Sequence, residues 1–145
     1  MDTNEFKLEF GSDARNESFA RVVVAAFLTR TNPTLEEVAD VKTAVSEAVT
    51  NAIIHGYEKE PGTIELKAYI NDRTLELSIK DEGCGIEDIE KAMEPMYTGK
   101  PGENRSGMGF SFMEAFMDEL KVESKPGVGT TVYMKKEIGA NREQY

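Results

Sequence analysis

Glu47 and Asn51 stand four residues apart in the segment SEAVTNAIIHGY (46–57). On a helix that spacing puts a carboxylate and a carboxamide one turn apart on one face, and His55 continues the stripe. An asparagine oxygen can ligate magnesium without adding negative charge beside a triphosphate, because magnesium takes oxygen ligands and shares them with substrate phosphates. A carboxylate one turn away can orient or deprotonate an attacking hydroxyl. Taken alone, the same spacing also describes a solvated helix face.

Three further groups ask for comparable chemistry. In Asp81-Glu82-Gly83-Cys84-Gly85 the aspartate shares strand parity with Leu75, Leu77 and Ile79, so it ends a row of core residues and points inward. An inward carboxylate needs a donor, and the exocyclic amine of adenine is one. Gly83 and Gly85 leave room for a flat base to approach the backbone. An ordinary turn whose aspartate caps backbone amides fits the same residues. In Arg105-Ser106-Gly107-Met108-Gly109-Phe110 the glycines expose amides where a helix begins, a place that favours phosphate. Arg105 and Lys100 can add charge-assisted contacts, and a plain hinge is the competing description. In Gly129-Thr130-Thr131, Thr130 shares parity with Val132 and Met134, which turns its hydroxyl toward the site or the core.

Familiar alternatives do not fit. No GxxxxGK[ST] loop occurs, and the run from Gly83 to Asp88 lacks the third glycine of a dinucleotide fingerprint. His55 is the single histidine, and no spacing around it builds a metal site or a Ser-His-Asp triad, so it is expected to pack or cap the helix end.

The elements that must position these groups follow from periodicity. Residues 4–10 alternate, with Phe6, Leu8 and Phe10 on one side of a strand. Asp13 can cap a helix running to about Arg30, with Phe19, Val23, Ala26 and Phe27 as its inner stripe. Pro33 and Thr34 open a second helix, Thr34 and Glu37 forming a capping box. Leu35, Val38, Val45, Val49 and Ala52 form its apolar face, and Gly56 is expected to end it. A hairpin joins 64–70 to 75–79 through Asn71-Asp72. Residues 87–106 are irregular, and 95–106 suit a lid. A third helix starts near Gly107, and a last hairpin joins 120–124 to 130–135 through Pro126-Gly127. The expected fold is an α/β (α+β) two-layer sandwich, with a mixed sheet of about five strands and helices on one face. One domain is expected over 1–138, followed by a polar tail at 139–145.

Composition bounds the function. The chain has 145 residues, 39% of them hydrophobic, and a formal net charge of −10. Such a charge repels nucleic acid and acidic membrane surfaces, so a basic protein partner is more plausible than DNA, and simple solubility is the plain alternative. Phosphate must then be held by local devices. No apolar run reaches the ~18 residues of a membrane span. The single cysteine, Cys84, precludes an intrachain disulfide and a cysteine metal cluster, and a cytoplasmic setting is expected.

In order along the chain, Glu47xxxAsn51, Asp81xGly83xGly85, a lid, Gly107xGly109 and Gly129-Thr130 resemble the N, G1 and G2 boxes of the GHKL superfamily of gyrase, Hsp90, histidine kinases and MutL. The segments 46–57, DEGCGIEDIE (81–90) and RSGMGFSFMEAFMDEL (105–120) resemble the bacterial anti-sigma factor serine kinases, the sporulation branch most of all, and the likeness runs from about Asn4 to Lys136. The resemblance implies a Bergerat ATP-binding fold with ATP and Mg2+ as cofactors, Asn51 on the metal, and Asp81 reading adenine with help from Thr130. It implies nucleotide contacts along Gly83, Gly85, Lys100, Ser106, Gly107, Met108 and Gly109. Glu47 is implied as catalytic base and Arg105 as a catalytic cation for transfer to a serine of an anti-anti-sigma protein. A homodimer holding a sigma factor, with Arg21 on the partner-facing surface, is also implied. Cys84 departs from the small or aliphatic residue usual there.

Rival functions are a general-stress kinase of the same family and a nucleotide-regulated binding module without catalysis, the latter disfavoured by Glu47. A DNA-handling ATPase is disfavoured by length and acidity, and a histidine kinase core by the lack of a preceding phosphoacceptor helix.

Overall fold

The computed structural model describes residues 3–57, 60–86 and 109–139. Among the described residues five strands form one sheet: β1 (Thr3–Gly11), β2 (Thr63–Asn71), β3 (Thr74–Asp81), β4 (Glu119–Lys125) and β5 (Gly129–Glu137), in the order β1-β2-β3-β5-β4. Every neighbouring pair is antiparallel, so the sheet is not mixed. Hairpins make the β2–β3 and β4–β5 pairs, and β5 lies antiparallel against β3, so no parallel pair arises.

Among the described residues there are three α-helices: α1 (Asn16–Leu28), α2 (Leu35–Asn51) and α3 (Gly109–Phe116). Alternation along the strands decides which face they cover. Ile64, Leu66, Ala68 and Ile70 of β2, Leu75, Leu77 and Ile79 of β3, and Val132 and Met134 of β5 are buried. Between them lie the exposed or half-buried Glu65, Lys67, Glu76, Ser78 and Tyr133 of the opposite face. The helices supply Ala20, Val24 and Leu28 from α1, six residues of α2 including Val41, Val45 and Val49, and Phe110 and Met113 from α3.

The inner stripe of α1 differs from the expected one. Ala20, Val24 and Leu28 face the core, Phe19 is 51% exposed and Ala26 lies outside. Residues 22–28 (VVVAAFL) are apolar on every side, so periodicity alone cannot set the phase. Phe27 stays partly inside, its ring meeting Phe6 of β1 edge to face at 4.8 Å. Asp13 does not cap the helix itself. Its Oδ1 accepts the Arg15 N–H at 2.8 Å, and α1 starts at Asn16 without a side-chain cap.

The start of α2 is as expected: Thr34 Oγ1 accepts from Glu37 N at 3.1 Å, and Glu37 Oε1 accepts from Thr34 N at 2.8 Å. Glu37 Oε2 also takes the N–H of Gly139 at 2.6 Å, tying the chain after β5 to this helix. Leu35 is not part of the apolar face. It is 90% exposed, in the first turn of α2. Beyond Asn51 the helix widens into one π turn, Ala52–Gly56.

Candidate functional site

Two facts about α2 define the site. The first is that it delivers Asn51 to the start of α3. Both polar atoms of the Asn51 carboxamide are buried, and neither has a hydrogen-bond partner among the described residues. A methyl group added at Gly109 would lie 2.7 Å from Asn51 Nδ2, so the two elements meet closely there. An unsatisfied buried amide costs ~1–3 kcal/mol, and such a group calls for an explanation.

The second is that the π turn runs into Asp81. A methyl at Gly56 would sit 2.7 Å from the Asp81 carboxylate. Gly56 does end the helical run, and its φ is not among the positive values. Space for Asp81, and not a left-handed cap, is therefore what it supplies.

Asp81 is 6% exposed and ends β3 opposite Thr130 of β5, itself 8% exposed. Both point inward, as strand parity predicts. Asp81 Oδ1 accepts from Gly83 N at 3.0 Å. Burial raises the pKa of its carboxyl, opposed in part by the backbone N–H groups of Gly83 and Thr130. Thr130 Oγ1 and Ser124 Oγ share a hydrogen bond of 2.7 Å, and Ser124 Oγ accepts from Ile86 N at 2.7 Å.

The glycine loop after β3 is built from the same economy of space. Gly83 lies against Gly56, where an added methyl would fall 1.8 Å from the Gly56 carbonyl oxygen. Gly85 has φ +75° and faces the Lys125 carbonyl, so it needs glycine for conformation as well. Its neighbours' amides are engaged: Glu82 N donates to Tyr57 Oη at 2.6 Å, Gly83 N to Asp81, and Cys84 N to the Gly56 carbonyl at 2.9 Å. The Cys84 carbonyl accepts from Gly127 N at 2.8 Å, and its thiol donates to the His55 carbonyl at 2.7 Å. Amides committed in this way are not free to grip phosphate. The loop is a wall that presents a carboxylate, which suits a base and not a phosphate cradle.

Glu47 lies one turn before Asn51 on α2 and is half-buried. Arg21 stands on α1, away from these groups in the chain, and pairs with Glu17 at 3.5 Å. Glu17 also accepts from Ser46 Oγ, which links α1 to α2 next to Glu47. Lys100, Arg105, Ser106, Gly107 and Met108, with the lid at 95–106, lie outside the described residues. Sequence reasoning missed Ser124 and Tyr57. Ser124 was within reach, since the hairpin register sets it directly across from Thr130.

The donor set fits magnesium and a nucleotide. Among the described residues no group of three or more His, Cys, Asp or Glu could hold a metal by itself. A lone neutral oxygen from Asn51 suits an ion that takes its remaining ligands from phosphates and water.

Comparison with known proteins accords with this arrangement. Residues 10–136 match the family described as histidine kinase-like ATPase domain. Anti-sigma F factor of Thermoanaerobacter sp. (strain X514) is 58% identical over 140 residues, covering 97% of this chain and 98% of the relative. Anti-sigma F factor of Clostridium acetobutylicum is 59% identical over 135 residues, covering 93% and 94%. The chain belongs to the anti-sigma F factors of the histidine kinase-like ATPase domain family. Members of this family are ATP-using domains of kinase type. The fold is shared more widely. The RsbU and RsbW domains of Rv1364c from Mycobacterium tuberculosis superpose with TM-score 0.67 at 20% identity, over 93% of this chain and 32% of that one. The histidine kinase domain of the Erythrobacter litoralis EL346 blue-light activated kinase gives 0.56 at 23% identity, over 74% and 48%. No helix among the described residues is long and apolar enough to cross a membrane.

Proposed function

We propose that this chain is an ATP-dependent serine kinase that also binds and inhibits a sporulation sigma factor, its phosphoryl acceptor being a serine of an anti-anti-sigma protein. It acts as a homodimer in the cytoplasm, with residues around Arg21 facing the sigma factor. The kinase domain occupies residues 1–138, and 139–145 form a tail. The observation that carries the ATP reading is the Asn51 carboxamide, buried beside Gly109 and without a partner among the described residues.

In this reading Asn51 Oδ1 would hold a magnesium ion, which when bound would supply positive charge beside the phosphates. Asp81 accepts a hydrogen bond from the adenine amine, and Thr130 supports it from the facing strand. Gly83 and Gly85 stay in the site as the turn that carries Asp81, the room they leave being taken by the Gly56 and Lys125 carbonyls and not by the base. Lys100, Arg105, Ser106, Gly107, Met108 and Gly109 surround the phosphates. The serine oxygen of the acceptor forms a bond to the γ-phosphorus, the bond to the β–γ bridging oxygen breaks, and ADP leaves. Glu47 takes the serine proton, and Arg105 offsets charge on the transferring group. Positioning and charge neutralisation supply most of the rate in such transfers.

The test is incubation with γ-labelled ATP and candidate anti-anti-sigma proteins, followed by mapping of the labelled residue. Label on serine is expected. In the Glu47→Ala variant ATP binding persists and transfer is lost, by about 10²- to 10⁴-fold for a general base. An unchanged transfer rate in that variant removes Glu47 from the reaction.

A further inference from the structure

Tyr57 holds the glycine loop from outside it. The residue follows the π turn of α2, and its hydroxyl makes two short bonds. It accepts from Glu82 N at 2.6 Å and donates to the Thr63 carbonyl at 2.6 Å. A phenol has one proton to give, so the direction of both bonds is fixed. Burial pushes its pKa up, and the neighbouring charges of Asp81 and Glu82 act the same way, so the proton stays on at neutral pH. The ring lies over Gly62, where an added methyl would be 2.2 Å from Tyr57 Cε1. Gly62 is itself bonded to Ser12 through both its carbonyl and its N–H, at 2.9 and 3.0 Å. One side chain thus spans the end of the α2 run, the first residue of β2 and the exit from β3.

We propose that Tyr57 is a positioning residue for the base end of the nucleotide site, fixing the peptide between Asp81 and Glu82 so that the Asp81 carboxylate keeps one direction. The proposal rests on the ATP reading above. Beyond the ladder that registers Asp81 with Ile64 and Thr130, contacts on both sides bear on that peptide. On one side the Asp81 carbonyl is pressed by Gly129, where an added methyl would come within 2.2 Å of its oxygen. On the other side the Glu82 N–H has Tyr57. With the hydroxyl gone, that N–H turns to water, because Glu82 is exposed, and the peptide can tilt. A fixed carboxylate prefers adenine, which presents an amine donor, to guanine, which presents an oxygen acceptor at the corresponding atom. Tyr57 therefore acts on base selection and leaves the phosphoryl step alone.

The test is steady-state kinetics of phosphoryl transfer with ATP and GTP, with magnesium–ATP titration calorimetry and thermal melts alongside. For Tyr57→Phe the KM for ATP is expected to rise roughly 3- to 10-fold, the effect of one neutral hydrogen bond, with kcat changed less than about twofold. The preference for ATP over GTP falls by a similar factor. Gly62→Ala keeps the hydroxyl and displaces the ring, and is expected to move KM and base preference in the same direction. Folded variants with unchanged KM and unchanged base preference overturn the proposal, as does a fall in kcat at constant KM. Failure of the parent protein to bind ATP overturns the ATP reading instead, and calorimetry on the unmodified chain separates the two.

Discussion

The two ends of α2's contact surface, at Asn51 and at Asp81, are built on opposite terms. At the Asp81 end the polar groups are tied to one another: Gly83 bonds the carboxylate, Tyr57 holds Glu82, Gly56 accepts from Cys84, and Ser124 joins Thr130 to Ile86. At the Asn51 end a buried carboxamide has none among the described residues. A satisfied polar cluster is rigid and stabilises the fold, whereas an orphaned buried amide weakens it. In the proposed reading, the wall around Asp81 is preformed by the chain itself, and the Asn51 end is left for the nucleotide to complete.

Breaking the unsatisfied end should have the largest effect on binding and the smallest on stability. Asn51→Ala is expected to lower magnesium-dependent ATP affinity by ~100-fold, from the ~1.5–3 kcal/mol typical of contacts to charged groups. Its melting temperature should be unchanged or higher, because an unsatisfied amide has been removed. Titration calorimetry and thermal melts check both halves, and retained affinity would remove Asn51 from the site.

Asp81→Asn tests the opposite wall. It keeps an oxygen for the Gly83 amide but turns an acceptor into a donor toward the base. ATP affinity should fall by ~30-fold, less than for Asn51, with the loss independent of magnesium. A third variant separates stability from binding. Ser124→Ala leaves the Ile86 N–H and the Thr130 hydroxyl without their partner, and should cost ~1–2 kcal/mol by denaturant unfolding.

Sequence patterning reached some of this architecture and missed the rest for physical reasons. Strand parity placed Asp81 and Thr130 inside, because a period of two admits only two faces. The capping box at Thr34 and both hairpins were legible from local chemistry. The phase of α1 was not, since VVVAAFL is apolar all round, and Leu35 was misplaced because a first-turn residue can stay exposed whatever its spacing. The antiparallel pairing of β3 with β5 is a long-range choice that no local pattern encodes. Gly56 was read as a helix stop, yet its need for glycine comes from Asp81, 25 residues further on. Tyr57 stayed hidden for a similar reason: the N–H it holds, that of Glu82, lies 25 residues further on.

The smallest expected effect is on pH dependence. Burial raises the Asp81 pKa above its ordinary 3.8. The neutral carboxyl is therefore the form the fold favours. Its contribution to stability is present below the ordinary carboxylate pKa and is lost as pH rises through the folded value. Nucleotide affinity should run the other way, falling as acid protonates the acceptor. Asp81→Asn should abolish both trends, measurable by melts and by ATP titration across the acid range.

The contrast between the two ends can be read most directly by NMR of the labelled protein as magnesium–ATP is added. The account predicts that the amides of Gly83 and Cys84 resist hydrogen exchange before nucleotide arrives, and that the Asn51 side-chain amide shifts strongly on binding. Unprotected loop amides in the free protein, or an Asn51 side chain indifferent to magnesium–ATP, would contradict it.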